Sequence, residues 1–262
     1  MKISVIIPTL NAARFLPECL RSIDRQNYKD TEVIVVDGGS KDGTIGIANS
    51  FGPLVKLVAS RMPKGEPDAI NYGFTLATGQ IISYIDPDDT YELNCFNRVN
   101  EFFSNNNCKW LYGKGFIIDE NGKVVRSIIT TLKEQFQKSY SYEKLSWVDF
   151  IVQPTVFWTK DFTEEIGEFN IEEKLVFDYE YLLRCGKVSE PGYIPEYLAA
   201  WRKHNGSASV QNISQEISDA YRIAKKFGNQ GISAKINRMV SYWGTKAIYK
   251  IEETGEKIEK RN

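Results

Sequence analysis

The chain has 262 residues, 42% of them hydrophobic and 26% charged, and a formal net charge of −1. That length suits one large α/β domain with a small appendage, and that balance excludes disordered and fibrous classes. No apolar stretch approaches bilayer-spanning length, and the first five residues read as a strand rather than a signal peptide, so a cytoplasmic location is expected.

Short β-branched runs at residues 3–7, 32–36, 55–59 and 81–85 alternate with amphipathic segments, the pattern of a parallel sheet flanked by helices. Helices are expected over 12–26, 42–51 and 68–77. Asn11 and Asp42 are the expected N-caps of the first two, and Gly79 closes the third. A helix over 93–105 precedes a hairpin of 110–118 and 124–129 around the turn Glu120-Asn121-Gly122. Residues 131–146 are polar and aromatic with weak periodicity, as in a mobile loop over a site. A strand at 155–158, a helix at 160–166, a helical turn at 177–185, a strand near 197–201 and two terminal helices complete the expected order.

In the last segment Ile232, Ile236, Met239, Trp243, Ala247 and Ile251 recur at helical spacing, with Lys235, Arg238, Lys246 and Lys250 beside them. Such a stripe is expected to pack on the body. Contact with a membrane surface, through Trp243, Tyr242, Tyr249 and the lysines, is the alternative. From Arg222 onward there are ten Lys/Arg against four Glu, so the tail is basic.

Cys19, Cys95, Cys108 and Cys185 are too scattered for a disulfide framework or a zinc cage, and read as buried thiols. His204 is the single histidine, which excludes multi-histidine metal centres. The run Gly38-Gly39-Ser40-Lys41-Asp42 lacks the last glycine of a nucleophile elbow, so serine-hydrolase chemistry is not expected.

Two acidic positions stand at strand ends. Asp86-Pro87-Asp88-Asp89 follows Ile85, and its proline stiffens a turn that aims carboxylates outward. Carboxylates so placed suit a hard cation bridged to a substrate phosphate, although an acidic turn capping its own backbone has the same composition. Asp37 follows Val33-Ile34-Val35-Val36 and precedes Gly38-Gly39-Ser40, where a nucleotide can approach closely. The loop is neither a dinucleotide fingerprint nor a P-loop.

Taken together, Ser4-Val5-Ile6-Ile7-Pro8-Thr9-Leu10-Asn11, then Val35 through Thr44, then Asp86-Pro87-Asp88-Asp89 resemble the three N-terminal motifs of the family 2 glycosyltransferases with the GT-A fold. The resemblance covers about residues 1–210. It implies a mixed sheet flanked by helices, with 1–105 as the nucleotide-sugar half and 106–210 as the acceptor half, leaving 211–262 as a basic helical appendage. By the same resemblance, Pro8, Thr9 and Asp37 border the base and ribose, and Asp86 joins them on the donor side. Asp88 is the principal ligand of Mg²⁺ or Mn²⁺, supported by Asp89. The segment from Gly65 to Gly73 resembles the stretch beneath the nucleotide, which adds Asp68 and Asn71. Phe177-Asp178-Tyr179 resembles the acidic motif of the catalytic base, with Asp178 as the base and Phe177 where the family commonly has Glu. Arg202, His204, Ser207 and Ser209 resemble a late segment in which the histidine ligates the metal or touches the diphosphate.

The implied reaction is inverting transfer from a nucleotide-sugar donor, expected to be a UDP-sugar. The acceptor would be a hydroxyl of a glycan or lipid-linked glycan in bacterial cell-surface polysaccharide synthesis. Gln153, Pro154, Trp158 and Trp147 are candidate acceptor-pocket residues because aromatic faces stack on sugar rings, with burial in the core the alternative for the tryptophans. Glu180 and Arg184, at i and i+4, read as a surface ion pair. A sugar-phosphate nucleotidyltransferase, or an inactive sugar-nucleotide-binding relative, would carry the same donor-side motifs. Nucleic-acid binding has no groove-forming motif to support it.

Overall fold

Every residue of strand β1 (Ile3–Thr9) is buried, because it is the middle of a parallel sheet with helices on both faces. The computed structural model describes residues 1–60, 63–125 and 127–259, and their side chains except at 60, 129, 208, 209 and 252–259. After β1 come α1 (Leu16–Asp24), β2 (Thr31–Asp37), α2 (Thr44–Ser50), β3 (Val55–Ser60), α3 (Glu66–Leu76) and β4 (Ile81–Tyr84). β2 and β4 flank β1 in parallel, and β3 lies parallel beyond β2.

The second half extends the same sheet. β5 (Thr90–Tyr91), α4 (Cys95–Asn105), β6 (Trp110–Ile118) and β7 (Val124–Val125) are followed by α5 (Ile128–Gln137) and α6 (Tyr142–Leu145). A 3-10 turn at Gln153–Thr155 leads into β8 (Phe157–Thr159), α7 (Lys160–Ile166), α8 (Phe177–Val188) and β9 (Gly192–Arg202). Three helices follow: α9 (Ala208–Gln211), α10 (Ile213–Phe227) and α11 (Ile232–Glu259). The strand order is β3-β2-β1-β4-β8-β6-β9-β5, with β7 on β6; β4 to β8 and β8 to β6 are antiparallel, whereas β6 and β9 are parallel.

Alternation along the strands sorts the core into two layers. Ile6, Ile34, Val36, Ile82 and Tyr84 face α3 and α8, whereas Ile3, Val5, Ile7, Val33 and Val35 face α1 and α4. Helix α3 lies so close to β1 that a Cβ at Gly73 would stand 2.5 Å from the Ile6 side chain. α10 is part of this body, since Ile223 and Ala224 enter the first layer.

Several local expectations are corrected. Asn11 is not an N-cap: it takes a left-handed φ of 52°, α1 starts only at Leu16, and the Asn11 Oδ1 accepts the Lys41 N–H at 2.9 Å. Asp42 does cap, but from outside the helix: Gly43 holds the N-cap position, and Asp42 Oδ1 accepts the Thr44 N–H. Gly79 does not end α3, which stops at Leu76 with Ala77 as its C-cap. It is glycine because a Cβ would meet Ser4 Oγ at 2.6 Å and the Lys2 carbonyl at 2.8 Å. The second arm of the hairpin is only two residues long, and the chain is helical again by Ile128.

The stretch expected as a loop over 131–146 carries most of α5 and all of α6. It is bolted down by polar bonds that period counting does not register. Tyr112 Oη donates to the Gln137 carbonyl at 2.8 Å, Tyr179 Oη to the Leu145 carbonyl at 2.7 Å, and Gln137 Nε2 to the Phe150 carbonyl at 3.0 Å. Glu180 and Arg184 pair at 3.0 Å, but Glu180 is buried, and Arg184 also donates to the Ile166 and Glu168 carbonyls. Cys19, Cys95 and Cys185 are buried free thiols, and Cys108 is half-buried.

Candidate active site

The loops that follow β1 and β2 are stitched together by side chain to backbone bonds. Ser40 Oγ accepts the Asn11 N–H, Asp42 Oδ2 the Ala13 N–H and Thr44 Oγ1 the Ala12 N–H, at 2.8–3.0 Å. Asp37 is fully buried beneath this loop. Its Oδ2 accepts the Gly39 and Ser40 amides at 2.9 Å each, and its Oδ1 accepts Thr9 Oγ1 at 3.3 Å. Asp37 therefore spends its acceptors on the loop, while Pro8, Thr9 and Gly38 form the surface above it.

That surface is one end of a cleft of about 1860 Å³. The Asp86–Asp89 turn forms its floor. Ile85 N–H donates to the Ile6 carbonyl, prolonging the β4 ladder, and Asp89 N–H closes the turn on the Asp86 carbonyl at 3.1 Å. Arg202, at the end of β9, reads the turn from below: its N–H donates to Asp89 Oδ1 at 2.8 Å and its Nε to the Asp88 carbonyl at 2.7 Å. Its guanidinium is wholly buried against the Phe15 ring, within 2.7 Å of Glu18 Oε2. Asp89 thus points into the protein, and Asp86 and Asp88 line the cleft.

His204 Nε2 lies 2.9 Å from Asp88 Oδ2, and His204 Nδ1 accepts the Gly206 N–H at 3.0 Å. The neutral ring therefore carries its proton on Nε2 and donates it to Asp88. Ser207 Oγ accepts the His204 N–H at 3.3 Å and holds the segment; the Ser209 side chain lies outside the described residues.

Sequence reading overlooked Glu66, the first residue of α3, which shares a hydrogen bond with Asp86. Burial, and next the charge of Glu66, push the Asp86 carboxyl well above its ordinary range. Burial and then Asp88 do the same to Asp89. Asp86 Oδ1 and Asp89 Oδ2 are buried with no hydrogen-bond partner. A cation beside such a group would offset both costs. Among the described residues no three His, Cys, Asp or Glu side chains enclose a metal by themselves. A hard divalent ion, which takes one or two carboxylates together with substrate phosphate oxygens, would suit the carboxylates of this turn. Ligation by His204 Nε2 requires the ring to change tautomer and release Gly206.

The cleft's other end carries Asp178, near the start of α8, whose Oδ1 accepts the Tyr179 N–H at 2.8 Å. Burial first and the charge of Asp149 second push the Asp178 carboxyl up to about 7, against the pull of that N–H and of Lys133. Asp149, Lys133 and Glu216 line the same end; Lys133 Nζ is 3.7 Å from Asp149 Oδ2, and Glu216 is pushed up to about 8, chiefly by burial and then by Asp178. None of the three stood out in the sequence. They come from α5, the stretch before the 3-10 turn, and α10, and no spacing links them. Phe177, where a carboxylate was expected by resemblance, is buried 6.2 Å from the Tyr84 ring centroid.

Asp37, expected to border the base and ribose, lies beneath the cleft surface rather than on it, and three more predicted site residues are placed elsewhere. Trp158 is core, not pocket: it is 1% exposed, stacks on Tyr84 and meets Tyr181 edge-on. Asn71 exchanges both of its amide atoms with the Phe169 backbone, at 2.9 and 2.7 Å, and so ties α3 to the chain after α7. Asp68 accepts the Lys64 N–H at the start of α3 and does not line the cleft. Gln153, Pro154 and Trp147 do line it, with Gln153 Nε2 donating to the Tyr84 carbonyl at 3.0 Å.

Residues 4–166 match the model of glycosyl transferase family 2, well over half of the chain. The chain belongs to that family. A "PGL/p-HBAD biosynthesis glycosyltransferase" of Mycobacterium bovis is 32% identical over 200 residues, which are 74% of this chain and 73% of that protein. Among solved structures, S. aureus TarS 1-349 in complex with UDP-GlcNAc superposes with a TM-score of 0.67 at 18% identity, covering 92% of this chain and 79% of that one. In a longer TarS structure the match spans 44% of the TarS chain. The mannosyltransferase PcManGT from Pyrobaculum calidifontis, in complex with GDP-Man and Mn²⁺, gives 0.68 at 16% identity, covering 98% and 80%. The fold of this glycosyltransferase is GT-A, a mixed curled sheet flanked by helices.

Proposed function

We propose that this glycosyltransferase transfers a sugar, with inversion, from a UDP-sugar to a hydroxyl of a glycan or lipid-linked glycan, with Asp178 as its single general base. The observation that carries the reading is that Asp88 and Asp178, ninety residues apart, line one cleft. Pro8, Thr9 and Gly38 would seat the nucleoside, and the Asp88–His204 end would receive the diphosphate. A Mg²⁺ or Mn²⁺ ion held by Asp88 would supply Lewis acidity to the leaving diphosphate.

The protein's own steps concern protons and orientation. Asp178, raised to about 7, is a stronger base than an ordinary carboxylate and still largely ionised just above neutrality. It would take the acceptor hydroxyl's proton as that oxygen attacks the anomeric carbon from the face opposite the diphosphate. The proton moves to Asp178, the C–O bond to the acceptor forms, and the bond to the diphosphate breaks with its electron pair. Departure of a diphosphate needs no second carboxylic acid, in contrast to glycoside hydrolysis.

Calorimetric titration with UDP, GDP and their sugars, with and without Mn²⁺, tests the donor assignment. Tight binding of UDP species only with metal is expected, and metal-independent binding of GDP species would reject it. NMR of the product's anomeric centre tests inversion.

A further inference from the structure

The stripe of α11 expected to pack on the body faces away from it. Ile232 is 79% exposed, Val240, Trp243 and Ile251 62% each, and Ile236 and Met239 nearly half. At 100° per residue these six fall within about 120° of arc, over a length of roughly 28 Å. The helix docks instead through the opposite side: Ala234 and Arg238 are buried, Arg238 Nη2 donating to the Asn229 carbonyl at 2.8 Å, and Tyr242 packs on Tyr221. The reason lies in the residues. Alanine lets the helix sit close to the body, and the guanidinium of Arg238 closes the turn between α10 and α11, so the larger apolar side chains are left outside.

An exposed apolar stripe of this length calls for a covering surface. Its charge says which. Residues 232–251 contain three lysines besides the buried Arg238 and no acidic residue, although the whole chain is slightly acidic. Lys235 and Lys246 border the stripe, Lys250 falls within its arc, and Lys246 Nζ lies 5.9 Å from the Trp243 ring centroid. A second copy of this chain meeting the stripe about a two-fold axis would bring lysine against lysine. A surface of anionic lipid headgroups over acyl chains complements both the charge and the apolar ridge, with Trp243 at the boundary between them. No helix among the described residues is long and apolar enough to cross a membrane, so the contact would be lateral.

We propose that α11 seats this enzyme on an anionic bilayer surface. The same helix forms part of the cleft wall over residues 241–250, so that Trp243 stands both on the stripe and at the rim of the cleft that holds Asp178, whereas Ile232, Ile236, Met239, Val240 and Ile251 lie clear of the cleft. Seating α11 therefore brings the acceptor end of the cleft to the lipid surface; this consequence for the acceptor rests on the transferase reading above, whereas the docking itself does not.

The test is vesicle flotation of the full chain without donor or acceptor. Phosphatidylcholine vesicles containing about 30% phosphatidylglycerol should carry the protein up, and pure phosphatidylcholine should do so at least about tenfold less. Raising salt from ~0.1 to ~0.5 M should release most of it. The double variant Ile236→Asp/Val240→Asp alters two exposed positions away from the cleft; it should keep the parent melting temperature and nucleotide response and lose flotation. Lys235→Glu should weaken it several-fold. No flotation with anionic vesicles, or equal flotation of the double variant, overturns the proposal. So does a wild-type dimer by light scattering that the double variant turns into a monomer without any vesicle binding. Because no substrate is present, each failure leaves the transferase reading intact, and loss of nucleotide binding would leave flotation intact.

Discussion

The two ends of the cleft are built by different logics. The Asp88 side rests on adjacent parallel strands, β1, β2 and β4, whose last residues fall side by side because the strands are in register, Thr9 beside Asp37 and Ile6 beside Tyr84. Each motif there is continuous in sequence, and its backbone bonds close on itself or on the neighbouring loop. The Asp178 side gathers Lys133, Asp149, Asp178 and Glu216 from four separate segments. Local order makes the first end rigid and readable. The second end gains its chemistry from the mutual proximity of charges, which only the folded chain creates.

The sharpest way to break this comparison is at Asp178. Asp178→Asn should lower kcat by about 10²- to 10⁴-fold while leaving nucleotide affinity within a factor of about two. Steady-state release of nucleoside diphosphate, beside calorimetric binding, separates the two quantities. An equal loss in both would mean that the two ends do not divide the work.

Trp158 tests the boundary between pocket and core. Ringed by Tyr84, Phe169 and Tyr181, it should cost about 3–5 kcal/mol of stability when truncated to alanine, read as a large fall in the urea midpoint. Trp147→Ala, on the cleft wall, should change stability far less and act on acceptor KM. Equal destabilisation by both would erase the distinction.

At the nucleotide end, Asp88→Ala should weaken metal-supported donor binding by about 10- to 100-fold, by the scale on which metal sites respond to altered ligation. Chelation of the wild type should reproduce the loss and leave the variant unchanged. A variant that still responds to Mn²⁺ would move the ligand role to Asp86 or His204.

What was legible follows the same division. The four parallel strands, the helices at α4, α7 and α8 and the Asp86–Asp89 turn could be read because β-branched runs, amphipathic periods and strand-end turns write themselves locally, whereas α5 and α6 stood where a loop was expected. Asn71 and Trp158 misled, since an amide near a nucleotide motif and a tryptophan near a pocket carry no mark of what they face. Asn71 was claimed by the Phe169 backbone and Trp158 by an aromatic cluster, both through tertiary contacts. Glu66 lay inside a segment singled out for Asp68, and only the approach of α3 to the β4 turn turns it toward Asp86. The stripe on α11 was recognised, yet periodicity reports that a helix has an apolar side and not which way that side is turned.

The smallest effects discriminate best. Asp178 at about 7 predicts that kcat/KM rises with pH through neutrality, as the base loses its proton, and levels above it. The position of that limb depends on two neighbours of opposite charge. Asp149 raises the Asp178 value, because a second negative charge disfavours ionisation; Asp149→Asn removes it, so the limb should move to lower pH. Lys133 lowers the value, so Lys133→Met should move the limb to higher pH. Shifts of roughly one unit or less are expected for removal of a single neighbouring charge. Acceptor KM alone does not distinguish contact from tuning, but a limb displaced in opposite directions by the two variants does, since loss of packing would move neither. If both variants leave the limb in place, the acceptor end is a set of independent side chains, and the contrast with the zipped nucleotide end reduces to geometry alone.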